Sequence, residues 1–144
     1  MRYAPLTVAQ VLDLFAGHPH PFPATLWRAW QLGNFDGDTI TVRIDDGFHS
    51  ATTRDVRLLG INAPELNTGT VESRANGLDC RNYLTSICPA GTALVLDTSL
   101  DPNPASPVEK YGRVLAHVTV YKSDGTTFDL SAAMLAFGHG VVVD

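Results

Sequence analysis

The sequence is poor in positive charge, in cysteine and in long apolar runs, and each shortage excludes something. Ten Lys and Arg residues face fifteen Asp and Glu, for a formal net charge of −5. A protein that holds long nucleic acid by its phosphates draws its affinity from Lys and Arg displacing counterions. Any nucleic-acid contact here must therefore be local, made by a few placed arginines or through a metal ion. The two cysteines are Cys80 and Cys88. On one helix they lie roughly 12 Å apart along the axis, beyond the reach of a disulfide, so free thiols and a reducing compartment are expected. No apolar stretch reaches the roughly 18 residues that a bilayer demands. The N-terminus has one arginine, then Asp13 inside its most apolar segment, the wrong charge pattern for a secretory signal. A cytoplasmic protein with no membrane partner, most simply a monomer, is the expectation. Internal repeats and low-complexity tracts are also missing.

What is present is an ordinary globular composition, 44% apolar and 17% charged over 144 residues. That suits one folded unit able to bury roughly 68–70% of its unfolded surface. Two segments are expected. Residues 1–23 form an N-terminal extension and 24–144 the main domain. In the extension, Thr7 to Ala16 reads as an amphipathic helix. Thr7 and Gln10 match a capping box, while Val8, Val11, Leu12 and Phe15 share one face. HPHPFP follows as a stiff linker. His18 and His20 could ligate a metal, but they lack a Cys or acidic neighbour, which favours a surface linker.

From Ala24 the pattern becomes strand-like: Thr25 to Leu32, Thr39 to Ile44 with Ile40, Val42 and Ile44 on one face, and Arg54 to Ile61. Residues 45–53 read as a loop. A helix is expected over Ala75 to Ile87, with Leu84 and Ile87 inward and Pro89 and Gly91 beyond its end. Strands follow at Thr92 to Thr98 and Val114 to Tyr121, separated by a proline-rich loop over 100–112. Asp124-Gly125 marks a hairpin, and Asp129 caps a short helix closed by Gly138. Three strands, a helix, two strands and a helix suit an α+β protein that is mainly β: a five-stranded OB-fold β-barrel with packed helices.

Four features bear on chemistry, each with a plain alternative. FDGDTI ends in Asp38 at the mouth of an alternating strand, where its carboxylate suits a hard cation, although Asp-Gly-Asp is also a common turn. VRLLGINAPE sets Arg57 inside an apolar strand. It either closes an internal ion pair or faces a cleft and grips an anion with its planar fork. Pro64 restricts Ala63 to extended geometry and so aims Glu65, as placing a general base requires. EKYGR delivers Arg113 into a strand, with Lys110 and Tyr111 before it. This is an exposed basic turn or a phosphate-binding corner. His49, His117 and His139 occur singly and suit structural roles.

Taken in order, DGDT, then VRLLGINAPE, a helix, and KYGR opening a strand, the motifs resemble the thermonuclease (staphylococcal-nuclease-like) family over about Thr25 to Val142. The resemblance implies an OB-fold, calcium-dependent phosphodiesterase cleaving DNA and RNA. Carried across position by position, Asp38 is a calcium ligand, Asn62 takes the second ligand position and Ala63 offers its carbonyl. Glu65 matches the carboxylate that activates water. Arg57 and Arg113 match the arginines that neutralise the five-coordinate phosphate, and Lys110 and Tyr111 match substrate contacts. The chain departs from the family in several places. Asn62 stands where an aspartate is usual, predicting weaker calcium binding. Glu109 also replaces an aspartate, and the loop between the second and third strands is longer. The chain reaches Asp144 where the family continues into a third helix. The N-terminal helix is expected to cover the surface that this helix would have covered. Arg57, Glu65 and Arg113 together favour an enzyme. Asn62 and the negative charge favour a catalytically silent relative that binds nucleic acid or protein. An oligosaccharide or small-molecule binder lacks a recognisable aromatic platform.

Overall fold

A computed structural model describes residues 7–9, 26–66, 69–98 and 112–142. The strands are β1 (Leu26–Asn34), β2 (Thr39–Gly47), β3 (Ser50–Leu58), β4 (Ile61–Asn62), β5 (Ala93–Asp97), β6 (Val114–Tyr121), β7 (Thr127–Asp129) and β8 (Val141–Val142). The helices are α1 (Val71–Ile87) and α2 (Leu130–Ala136). Sheet order β3-β2-β1-β5-β6 closes on itself through a parallel pairing of β3 with β6, which sets Arg57 beside Leu115. The chain is therefore mainly β, a closed five-stranded barrel with two helices, consistent with the OB-like architecture expected. β7 extends β6, and β4 pairs with β8 as a separate small ladder.

Period-two alternation builds the barrel. On β2 the inward residues Ile40 and Val42 are fully buried and Ile44 nearly so, while Arg43 points to solvent. β6 repeats the pattern with Val114, Ala116, Val118 and Val120 inward. Burying one such aliphatic side chain contributes about 1.5–3 kcal/mol. α1 closes one end of the barrel by placing Gly77, Cys80 and Leu84 on one face. Thr70 caps it, its hydroxyl accepting from the Ser73 amide at 3.1 Å. The helix thus starts one turn before the expected Ala75. Its first turn, VESR, is polar and carries no apolar periodicity to read. Leu84 is fully buried as expected, and Ile87 packs on the core from the edge. Asp129 caps α2 by accepting from the Ala132 amide at 2.8 Å.

Residues 45–53 are a correction. They do not form an open loop: β2 and β3 run on to a two-residue turn in which Gly47 faces Ser50. Phe48 and His49 occupy it with φ of 50° and 63°. Such turns are normally signalled by Asn-Gly, and Phe-His is not a turn signature. Cys80 and Cys88 are free, as the spacing predicts, and both are buried. In the N-terminal extension only Thr7 to Ala9 are described. Val8 and Ala9 are helical, but Val8 is 76% exposed, so the packing expected of it is not seen. Val11, Leu12 and Phe15, the linker and the loop over 99–111 lie outside the described residues. No described helix is long and apolar enough to cross a membrane.

Candidate functional site

The turn between β1 and β2 is folded by its first aspartate. Asp36 Oδ1 accepts from the amides of Asp38 (3.0 Å) and Thr39 (2.8 Å), which pulls the Asp-Gly-Asp segment into a tight loop. Gly37 is required there because a Cβ would come within 2.7 Å of the Cys80 Cβ on α1. The turn lays Asp38 against the end of β4, where its Oδ2 accepts from the Ala63 amide at 2.7 Å. Both aspartates are buried, at 7% and 6% exposure. Burial first, then the neighbouring Asp38, pushes the Asp36 carboxyl up to about 6.

Opposite Thr39 on β3 stands Arg57. Its guanidinium is held by both forks. Nη1 donates to the carbonyls of Leu58 (2.8 Å) and Ile61 (2.9 Å). Nη2 donates to Asn62 Oδ1 at 3.1 Å and pairs with Asp38 Oδ2 at 3.3 Å. The two carbonyls flank the Leu59–Gly60 turn that ends β3. Arg57 therefore pins the chain reversal that delivers Asn62, and its side chain keeps 18% of its surface exposed. The internal ion pair and the cleft-facing role, alternatives at the level of sequence, coexist in one side chain.

After Asn62 the chain runs through Ala63 and Pro64 to Glu65. This segment lies against α1 at Gly77, where a Cβ would sit 2.8 Å from the carbonyl oxygens of both Pro64 and Glu65. Glu65 is exposed.

These elements enclose a cleft of about 710 Å³ lined by Asp36, Asp38, Asp55, Arg57, Asn62, Glu65 and Arg113, together with Phe35, Thr39 and Thr41. Asp38, Arg57, Glu65 and Arg113, separated by up to 75 positions in the chain, thus share one wall-to-wall space. Asn62 lies there too. Ala63 is not part of that lining: it is buried, its amide is bonded to Asp38, and it borders a neighbouring cavity on the α1 side. Lys110 and Tyr111 lie outside the described residues. Asp36 and Asp55 also line the cleft, beyond the candidate residues expected from the sequence. Asp36 was legible as half of the Asp-Gly-Asp pair. Asp55 was not, since only the β2–β3 register brings it opposite Thr41, whose hydroxyl donates to it at 2.8 Å.

Four carboxylates against two guanidiniums leave the cleft with surplus negative charge. An anionic ligand needs that surplus neutralised by protonation or by a cation. Asp38 and Asn62 offer oxygen donors only, the chemistry of a hard cation. Among the described residues no three His, Cys, Asp or Glu side chains are grouped to hold a metal. Of the expected ligand set, the cleft holds the Asp38 carboxylate and the Asn62 amide, and Arg57 Nη2 contacts both. No family model matches the chain, and no curated protein is significantly similar to it.

Proposed function

We propose that the chain is a metal-dependent nuclease that hydrolyses phosphodiester bonds of DNA or RNA in this cleft. The observation that carries the proposal is the meeting of Asp38, Arg57, Glu65 and Arg113 from separate elements around one space of about 710 Å³. A phosphodiester is anionic and repels hydroxide. Its hydrolysis needs positive charge about phosphorus and a base beside the attacking water. Arg57 and Arg113 supply the fixed positive charge, and Arg57 is preorganised by two backbone carbonyls. Glu65 accepts the proton of the water. The new P–O bond forms as the opposite one breaks, and the leaving oxygen takes up a proton from solvent to depart as an alcohol. Lys110 and Tyr111, outside the described residues, are proposed substrate contacts on the motif resemblance alone. Calcium is the proposed ion, which Asp38, Asn62 and the Ala63 carbonyl would hold. When bound it supplies Lewis-acid polarisation of the phosphoryl oxygen.

A second reading has its own support. Arg57 Nη2 is already engaged by Asp38 and Asn62, and Asn62 contributes no charge. A barrel that keeps these contacts as structure would be a silent nucleic-acid or protein binding module. Digestion of single-stranded DNA with Ca²⁺ or EDTA, comparing wild type with Glu65→Gln, separates the two. Metal-dependent cleavage lost in the variant supports the nuclease. Tight binding with no cleavage under any divalent ion supports the module.

A further inference from the structure

The barrel has a second end that α1 does not cover. The helix meets β1 at its last residue, Asn34, whose side-chain amide donates to the Arg81 carbonyl at 3.1 Å. Toward the opposite end of β1 and β2 the inward positions lose their cover. Ile44 is 8% and Val114 6% exposed, while Ile40, Val42, Ala116 and Val118 stand at 0%. A hollow of about 160 Å³ opens here, floored by Trp27, Ile44, Leu96 and Val114. An apolar cavity of about 150 Å³ is enough to hold one benzene molecule.

The rim of the hollow is polar and carries one charge of each sign. Across the β2–β3 ladder Thr52 faces Ile44 and Arg54 faces Val42. Directly opposed residues share one face of a sheet, so Thr52 and Arg54 stand on the inner face, and with Asp46 they complete the lining. Asp46 Oδ2 accepts from the Thr52 hydroxyl. Neither Asp46 nor Arg54 has an ion-pair partner among the described residues, and Arg54 has no hydrogen bond there. Thr52 and Arg54 are two positions apart on β3, about 7 Å along the strand. A carboxylate anchored at Thr52 and a guanidinium one repeat away thus flank a gap above an apolar floor, each without a counter-ion.

We propose that this mouth of the barrel binds a free apolar α-amino acid as its zwitterion, one with a branched aliphatic side chain such as leucine. The side chain rests on the floor, the α-carboxylate meets Arg54 and the α-ammonium meets Asp46. A planar guanidinium grips a carboxylate through two parallel N–H donors, and the oxygen of Asp46 that Thr52 leaves open accepts from an ammonium. A ligand with a single charge is disfavoured, because the other rim charge then loses water and gains no counter-ion. An isobutyl group is smaller than benzene and an indole larger, so leucine fits where tryptophan does not. The hollow shares no lining residue with the cleft that holds Arg57 and Glu65, and the inference does not rest on the nuclease reading.

Calorimetric titration of the full chain with leucine should give one saturable site of millimolar affinity or tighter. Isocaproate, which lacks the ammonium, and isoamylamine, which lacks the carboxylate, should each bind roughly tenfold more weakly, the loss of one charge-assisted contact. Tryptophan should not compete. Arg54→Ala and Asp46→Asn, both at exposed positions, should melt as wild type does and weaken leucine by a similar factor. The chain has two tryptophans, which locates the site. In Trp30→Phe, where Trp27 is the remaining indole, leucine should shift the fluorescence emission; in Trp27→Phe it should not. No saturable heat with leucine at millimolar concentration would overturn the proposal. So would isocaproate or isoamylamine binding as tightly as leucine, or leucine affinity unchanged in both rim variants. The nuclease reading is scored separately, by cleavage in wild type and Glu65→Gln. Cleavage without leucine binding rejects this site alone, and leucine binding without cleavage rejects hydrolysis alone.

Discussion

Replacing Gly77 by alanine sets two known effects against each other, and the structure decides between them. Gly77 lies in the interior of α1, where alanine is favoured over glycine by about 0.8–1.0 kcal/mol. On propensity alone the variant should be more stable. The added Cβ, however, would stand 2.8 Å from two backbone oxygens, those of Pro64 and Glu65. Neither is the end of a flexible side chain, so either α1 or the Ala63–Glu65 segment must move. Overpacking of this kind costs about 1–3 kcal/mol. With the propensity gain subtracted, Gly77→Ala should lose up to about 2 kcal/mol, a fall in Tm of several degrees at about 2–4 °C per kcal/mol. Circular dichroism melting measures it. Asn76→Ala and Asp79→Ala, at exposed positions of the same helix, report the propensity gain without the overlap. Under the nuclease reading, displacement of Glu65 should also lower kcat by more than the stability loss accounts for, since misplacing a catalytic group by about 1 Å can cost 10²-fold. A Gly77→Ala protein that melts higher than wild type would refute the close approach, and with it the account of how Glu65 is positioned.

Asp36, raised from 3.8 to about 6 chiefly by burial, binds its proton more tightly in the folded state. Its contribution is complete below about pH 4 and disappears as pH rises through 6, by at most about 3 kcal/mol and nearer half that after solvent screening in an open cleft. Asp36→Asn should therefore gain on wild type between pH 4 and 6 and hold that margin above it; a Tm difference independent of pH would count against the shift. Burial also pushes the Cys88 thiol up to about 12 and raises that of Cys80. Native protein at pH 8 should resist iodoacetamide at both and react at both once unfolded, as mass spectrometry would record. Asn62→Asp adds a charge to the proposed ligand set and should tighten calcium roughly tenfold by calorimetry. An unchanged titration would place the ion elsewhere.

β2 and β6 were legible because they are half-buried and alternate: Ile40, Val42 and Ile44, or Val114 to Val120, admit one reading. β3, expected over Arg54 to Ile61, is buried only near its end and runs instead from Ser50 to Leu58, where the Leu59–Gly60 turn stops it. The helix start at Val71 was hidden by a polar first turn, and the β2–β3 hairpin by a turn sequence that carries strain in place of glycine. β4, β7 and β8, two or three residues each, are too short for periodicity to register and exist only through their partners. In the cleft, the candidates found from order and residue type were those with unusual local settings: an arginine in an apolar strand, a glutamate behind a proline. Asp55 has no such setting. Its place depends on register, and register is set by the whole sheet.

Arg57 has structural contacts that any substitution there would break. Its contacts to the Leu58 and Ile61 carbonyls hold the end of β3, and its contact to Asp38 ties the first turn to the third strand. Removing it would leave a buried carboxylate without its cation, a loss of stability whatever the protein does. A fall in activity at this position could not be assigned to chemistry. Glu65 is different. It is exposed, and no salt bridge or side-chain hydrogen bond to it exists among the described residues. Glu65→Gln preserves shape and removes only the base, so the folded state should be indifferent to it. If cleavage is lost at unchanged Tm, the loss belongs to proton transfer. If activity persists, the segment that Gly77 and Pro64 hold in place serves something other than a catalytic base.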